Sequence, residues 1–175
     1  VIPACTLRQA QPADASALSL VAAATFLESY AGQLRGEDIQ LHCSRHHTTA
    51  AYERWLSDAT AKCWVVEAEQ GLAMVGYQLL APPDVPIRDP QPTDIEIKRL
   101  YLLHRFQGTG LGRALVHAAV EWARAAGYRR LLLGVYSQNT AALAFYARMG
   151  FERVGERTFH VGDSDFFDYI LGLPL

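Results

Sequence analysis

Residues 94–113 read Asp-Ile-Glu-Ile-Lys-Arg-Leu-Tyr-Leu-Leu-His-Arg-Phe-Gln-Gly-Thr-Gly-Leu-Gly-Arg. The stretch Asp94 to Leu103 predicts a strand. Gly110 to Gly127 then predicts a helix, with Leu111, Ala114, Leu115, Ala118 and Trp122 as its apolar stripe and Arg113, His117, Glu121 and Arg124 on the other side. Gln107-Gly108-Thr109-Gly110-Leu111-Gly112 joins them. Alternate glycines let the backbone approach a ligand closely, and the helix start offers N–H groups with no internal partner. Together they make a site for phosphate. Two common phosphate loops do not fit. A P-loop needs Lys-Ser/Thr after its last glycine, where Arg113-Ala114 stands. A dinucleotide fingerprint places its third glycine one position later and needs an acid about 20 residues on, where Arg129 and Arg130 stand.

Outward from this junction, strands and helices alternate irregularly. Ala4 to Arg8 predicts a strand, and Pro12-Ala13-Asp14 opens a helix with Leu18, Val21, Ala22, Phe26 and Leu27 at helical spacing, broken at Gly32 and Gly36. Thr48 to Leu56 predicts a second helix. His42, His46 and His47 precede it in what reads as a polar, solvent-facing turn, with no carboxylate at ligand spacing to complete a metal site. Lys62 to Glu69 and Ala73 to Ala81 form a hairpin around Gln70-Gly71, followed by a proline-rich excursion from Pro82 to Pro92. Arg130 to Tyr136 reads as a buried strand. Thr140 to Met149 is a helix stopped by Gly150, and Phe151 to Val161 and Phe166 to Leu171 are the last strands. The order β-α-α-β-β-β-α-β-α-β-β predicts an α/β (α+β) architecture around one sheet.

The 175 residues suit a single domain, residues 1–175. Half are hydrophobic and 19% are charged, which excludes a disordered chain. No apolar run has the ~18–20 residues of a membrane span, so no membrane partner is expected. Val1-Ile2-Pro3-Ala4 is too short for a signal peptide, and the missing Met implies a processed or trimmed start. Three widely spaced cysteines, Cys5, Cys43 and Cys63, predict neither a disulfide framework nor a zinc site and fit a cytoplasmic protein. The net charge of −2 speaks against a nucleic-acid partner. That charge is divided. Lys98 to Arg157 holds ten basic and three acidic residues, net +7, and the remainder carries net −9. The division predicts a basic half for an anionic ligand and an acidic half for a cationic one.

Gln107-x-x-Gly110-x-Gly112 after a strand resembles the acyl-CoA signature of the GNAT N-acetyltransferases, continued by Leu111-Gly112-Arg113-Ala114-Leu115. Arg105-x-x-Gly108-x-Gly110 fits it in a second frame. Asn139, then Ala144-Phe145-Tyr146, then Met149-Gly150-Phe151 follow at family spacing. A narrower resemblance is to PaiA-type bacterial polyamine acetyltransferases, carried by Ile95-Glu96-Ile97, Phe106-Gln107, Leu133-Gly134-Val135 and Phe159-His160-Val161-Gly162-Asp163. The helix positions before Leu56 match less closely.

The resemblance implies a mixed, mostly antiparallel sheet flanked by helices, with central strands that splay apart. It implies acetyl-CoA as co-substrate, no metal, and direct attack by a primary amine in a ternary complex. The pantetheine arm would bond to backbone near Tyr101 and Leu102. The pyrophosphate would meet Gln107, Gly108, Thr109, Gly110, Leu111, Gly112 and Arg113, with Arg113 and Arg148 as phosphate partners, and Asn139 would hold the arm. Tyr146 matches the general acid beside the sulfur, since a phenol of pKa ~10 is protonated at neutrality. Glu96 matches the general base, with a water chain and a structural Glu96 as the rival reading, and strand alternation places Glu96, Lys98, Leu100 and Leu102 on one face. The acceptor is expected to be a polyamine or other small cationic amine, met by Glu28, Glu37 and Asp38. A protein α-amine, a lysine, an aminoglycoside-like cation and a non-catalytic acetyl-CoA sensor are the alternatives. The family's use of its final strands for dimers makes a homodimer compatible.

Overall fold

The computed structural model describes residues 3–175, so Val1 and Ile2 lie outside the described residues. Its strands are β1 (Cys5–Gln9), β2 (Lys62–Ala68), β3 (Met74–Ala81), β4 (Asp94–Leu102), β5 (Arg130–Tyr136), β6 (Glu152–Val161) and β7 (Ser164–Pro174). The helices are α1 (Ala15–Tyr30), α2 (Gly36–His46), α3 (Thr49–Ser57), α4 (Leu111–Ala125) and α5 (Thr140–Arg148). The strands form one seven-stranded sheet in the order β1-β2-β3-β4-β5-β7-β6. Every neighbouring pair is antiparallel except β4 with β5. That single parallel pair follows from its connection: α4 carries the chain back along the sheet, as a parallel crossover requires.

One face of the sheet carries α1 and α3, sealed by Leu18, Val21, Tyr52, Val65, Tyr77 and Leu79. The other carries α4 and α5, packed over Val66, Ile95, Ile97, Leu131 and Leu133. α4 turns its Leu115, Val116, Ala119, Val120 and Ala123 to the sheet. The expected stripe is therefore rotated. Leu111, Ala114, Ala118 and Trp122 flank the buried line, and Trp122 is edge-on to Trp64 at 6.0 Å between ring centroids. Apolar residues surround so much of this helix that the pattern alone does not choose the central row.

α2 replaces the turn expected before Thr48. It is a polar helix that packs Ile39 against Phe26, Val161 and Phe166. The histidines are correspondingly not a solvated turn. His42 stacks on Phe26 at 4.1 Å, and His47 is buried with Nδ1 3.1 Å from the Tyr52 hydroxyl. Burial, then neighbouring histidine and Arg99 charge, pulls His42 down to about 4. Burial and Arg99 hold His47 at about 3.

β4 and β5 pair only from Asp94↔Arg130 to Ile97↔Leu133. Beyond that β4 stays with β3 to Leu102, and β5 stays with β7 to Tyr136. The two strands therefore part where Lys98 begins. On the β3 side, Leu79 faces Arg99 and Leu80 faces Ile97, so Lys98 is the extra residue of a β-bulge. A bulge adds twist and interrupts a ladder, and here it coincides with the end of the parallel pairing. It also reverses which residues face which way. Ile95 and Ile97 pack toward α4, and so do Leu100 and Leu102. Tyr101 packs with the α1–α3 cluster, and Lys98 reaches Glu96. The expected common face of Glu96, Lys98, Leu100 and Leu102 is thus split by the bulge.

The closed end of the fork is clamped. Arg130 donates two hydrogen bonds to the Asp94 carboxylate, at 2.8 and 2.7 Å, and a third to the Asp89 carbonyl. Burial pushes Asp94 up, but Arg130 and the Gln91 N–H more than offset it, so the carboxyl lies below its ordinary range. A group held lower in the folded state stabilises the fold above its unfolded pKa of ~3.9, and that stabilisation is lost as pH falls through the folded value. Asp94→Ala should cost about 2–4 kcal/mol at neutral pH, a buried-pair cost reduced because Arg130 is partly exposed. Urea unfolding checks this, and the deficit against wild type should shrink in acid.

Candidate active site

The open end of the fork faces the glycine loop. A short 3-10 turn, His104–Phe106, leads from β4 to Gln107. The Gln107 side chain donates to the Leu102 carbonyl at 3.0 Å, and the Thr109 hydroxyl donates to the Phe106 carbonyl at 2.6 Å. These bonds fix the loop against the end of β4. Gly108 and Gly110 have φ of +74° and +91°, and a Cβ at either would meet nothing within 4 Å. Their glycine is demanded by backbone conformation and leaves open space above the loop. Gly110 caps α4, so the N–H groups of Leu111, Gly112 and Arg113 start the helix and point to that space. A cavity of about 570 Å³ beside it is lined by Arg113, His117, Phe145, Arg148 and Met149. This is the basic segment's anion-binding geometry: helix N-terminus, free loop backbone and two arginines.

α5 supplies the second wall. Asn139 is its N-cap, with Oδ1 accepting from the Ala142 N–H at 3.1 Å. Its side-chain amide N–H groups therefore stay available to a ligand. The Tyr146 ring is buried against Phe145 and Phe151. Its hydroxyl has no protein partner among the described residues, yet it is not among the sealed polar atoms. The phenol lies near enough to that of Tyr101 for the two to interact electrostatically. Burial, followed by the Tyr101 phenol, raises its pKa above the ordinary tyrosine value.

The opposite face of β4 carries Arg99 and Tyr101. Tyr101 stacks on Tyr77 at 6.1 Å, with the Tyr30 phenol close enough to act on the Tyr101 phenol. Asp168 of β7, opposite Tyr136 of β5, is buried and accepts from Arg157 Nε at 3.3 Å. Burial raises its pKa against the pull of Arg157. The sequence reading missed Asp168. Its one signal is an acid inside the apolar run Phe166-Phe167-Asp168-Tyr169-Ile170.

Glu96 is placed differently from expectation. It lies opposite Leu132, in the closed part of the fork. Its buried carboxylate accepts from Lys98 Nζ at 2.8 Å and from the Asp84 N–H at 2.9 Å, with Lys98 also bridging to Asp84 at 3.0 Å. Burial raises its pKa, while Lys98 and the Asp84 N–H oppose the rise. Its contacts tie the proline-rich loop to β4.

The three acids expected to receive a cation are also dispersed. Glu28 accepts from the His104 N–H at 2.9 Å. Glu37 is exposed and pairs with Arg35 at 2.8 Å. Asp38 is buried against the Gly162 turn, where φ is +57° and a Cβ would lie 2.0 Å from a carboxylate oxygen. Glu28 and Glu37 are spent on separate backbone and side-chain contacts, while the buried Asp38 carboxylate leaves Oδ2 without a partner among the described residues.

Residues 25–151 match the model of the acetyltransferase (GNAT) family. The chain belongs to the GNAT acetyltransferase family. An N-acetyltransferase of Mycobacterium tuberculosis, itself uncharacterized, is 32% identical over 158 residues, spanning 90% of this chain and 96% of that one. The PaiA N-acetyltransferase of Thermoplasma acidophilum, solved with coenzyme A, superposes with a TM-score of 0.75 at 19% identity, over 98% of this chain and 99% of that one. A GCN5-related N-acetyltransferase from Rhodopseudomonas palustris gives 0.74 at 20% identity, over 100% and 98%. These structures share the fold. The GNAT protein described here is accordingly an acyltransferase that takes its acetyl group from acetyl-CoA. Among the described residues no group of three or more His, Cys, Asp or Glu is placed to hold a metal, and no helix is long and apolar enough to cross a membrane.

Gly110→Ala should do two separable things. A side chain at φ +91° should lower stability by about 1–2 kcal/mol, read from thermal unfolding. A methyl in the loop's open space should weaken acetyl-CoA at least about tenfold, or ~1.4 kcal/mol, read by calorimetry on the folded variant.

Proposed function

We propose that the protein transfers acetyl from acetyl-CoA to a primary amine bound on the Arg99–Tyr101 face, by direct attack in a ternary complex. The carrying observation is the fork between β4 and β5, which opens onto the Gly110-capped helix on one side and the Tyr101 face on the other. The backbone edge of Lys98 to Leu102 has no β5 partner, so its free N–H and C=O groups suit an amide-bearing pantetheine arm. Gln107, Gly108, Thr109, Gly110, Leu111, Gly112 and Arg113 suit the pyrophosphate, and Asn139 suits the arm.

The amine nitrogen forms a bond to the thioester carbon, the C–S bond breaks, and the proton lost by the amine leaves through water on the acceptor face. Two buried carboxylates there have raised pKa values, Glu96 and Asp168. Asp168 sits at the open end of the fork and shares the electrostatics of Tyr101, which favours it as the proton's destination. Tyr146 donates to the departing sulfur. Because its pKa is raised, it stays protonated through the neutral range. Full transfer to a thiolate of pKa ~8.5 is uphill, so its contribution is a hydrogen bond that strengthens as charge develops on sulfur.

Tyr146→Phe should lower kcat about 100-fold, the low end for acid–base residues, with little change in KM for acetyl-CoA. Full activity in steady-state assays would make the ring a packing element only.

Asp168→Asn should flatten the rising limb of the pH–rate profile. Glu96→Gln should destabilise the fold and leave the limb in place. The reverse pattern would make Glu96 the proton acceptor.

The polyamine reading depends on acidic side chains converging on the acceptor; Glu28 and Glu37 are engaged elsewhere, and Asp38 is buried against the Gly162 turn. The acceptor's class is better read from the residues that do line its side of the sheet.

A further inference from the structure

On the same face as Tyr101, a cavity of about 360 Å³ lies between the end of α2, the outer side of α3 and β4. It is lined by Arg45, His46, Arg54, Trp55, Asp58 and Arg99, with Ala51 at its inner wall. Arg45 and Arg54 are exposed at the rim, and Arg99 is half-buried within. None of these arginines has an acidic partner among the described residues. Asp58, the one acid in the lining, accepts on Oδ1 from the Thr60 N–H and hydroxyl at 2.8 and 2.7 Å and makes no ion pair with the three arginines among the described residues.

Arg99 is the sharpest case. Its guanidinium lies 5.6 Å from the centre of the Tyr52 ring and donates to the Tyr52 hydroxyl at 3.0 Å. That hydroxyl donates onward to Tyr77 at 3.1 Å, so it accepts from the Nδ1–H of His47, which burial keeps neutral. The tyrosines and neutral histidine orient the guanidinium without cancelling its charge. A half-buried charge with most of its donors unmatched is costly unless something anionic completes it. Burial and the positive Arg99 and Arg45 also lower the pKa of His46 at the cavity wall. A polyamine in this cavity would meet like charge. A carboxylate or phosphate matches the flat, forked donors of arginine.

We propose that the cavity binds an anionic group, carboxylate or phosphate, carried by the acceptor amine itself. The proposal rests on the acetyltransferase reading and names its substrate class. Arg99 and Tyr101 are two positions apart on one strand face, roughly 6–7 Å along the strand. An amine at the fork and an anion at Arg99 therefore fit one small molecule with a short spacer.

The test uses the full protein with acetyl-CoA and follows thiol release. Acceptors are matched pairs: phenylalanine with its amide, 4-aminobutyrate with its amide, and phosphoethanolamine with ethanolamine, beside spermidine. The anionic member of at least one pair should have kcat/KM at least tenfold higher. Which pair responds separates carboxylate from phosphate. Arg99→Gln, and independently Arg45→Gln with Arg54→Gln at the exposed rim, should raise acceptor KM at least tenfold while leaving acetyl-CoA affinity by calorimetry unchanged. Preference for spermidine or the neutral amines, or a preference untouched by both variants, overturns the proposal. If no amine in the set reacts, titration with butyrate and with inorganic phosphate decides: Trp55 fluorescence should respond in wild type and not in the variants, and no response in wild type overturns it. Failure to bind acetyl-CoA instead defeats the acetyltransferase reading.

Discussion

The parallel pairing of β4 with β5 ends at Ile97 and Leu133, and most of the chemistry assigned to this protein follows from that stop. Parallel strands in a sheet normally continue together, because an unpaired backbone edge must find other partners. Here the Lys98 bulge twists β4 away, while β7 holds β5 along its full length. The Asp94–Arg130 clamp keeps the other end shut. A fork closed at one end and open at the other leaves backbone donors and acceptors bare in a protected cleft. The glycine-capped start of α4 lies at its mouth.

The same bulge divides the functional side chains. Without it, residues of alternate number would share a face along all of β4. With it, Leu100 and Leu102 join the core beneath α4, and Arg99 and Tyr101 turn to the side of α1 and α3. The cofactor side is thereby built from backbone, glycines and the α4–α5 arginines. The other side carries tyrosines, neutral histidines, Arg99 and the buried Asp168. The two sides are basic for different reasons: the first gathers Arg113 and Arg148 at a helix start, and on the second Arg45, Arg54 and Arg99 have no acidic partner among the described residues.

Much of this was legible in the sequence. Arg130–Tyr136 reads directly as a buried strand because its aliphatic run lies between turn signals, and the observed strand has those bounds. The glycine loop was legible because positive φ has few solutions among residue types. Three features were not. α2 buries little beyond Ile39 and Asp38, so its pattern is too weak to stand apart from a loop. The Lys98 bulge depends on how β3 and β5 compete for β4, which no local pattern encodes. The cationic cavity draws Arg45, Arg54 and Arg99 from separate elements, so no local run of sequence groups them. Summed charge ignores which acids are already engaged: Glu28 and Glu37 are, while Asp38 is buried with an unpartnered carboxylate oxygen among the described residues.

Hydrogen–deuterium exchange with and without acetyl-CoA tests the fork most directly. Amides that lack a β5 partner should gain protection when the ligand occupies the cleft. The account predicts slower exchange in residues 98–102 and 108–113 on adding acetyl-CoA, with residues 94–97 and 130–133 unchanged because they are already paired. Ligand protection that leaves 98–102 and 108–113 untouched would contradict it.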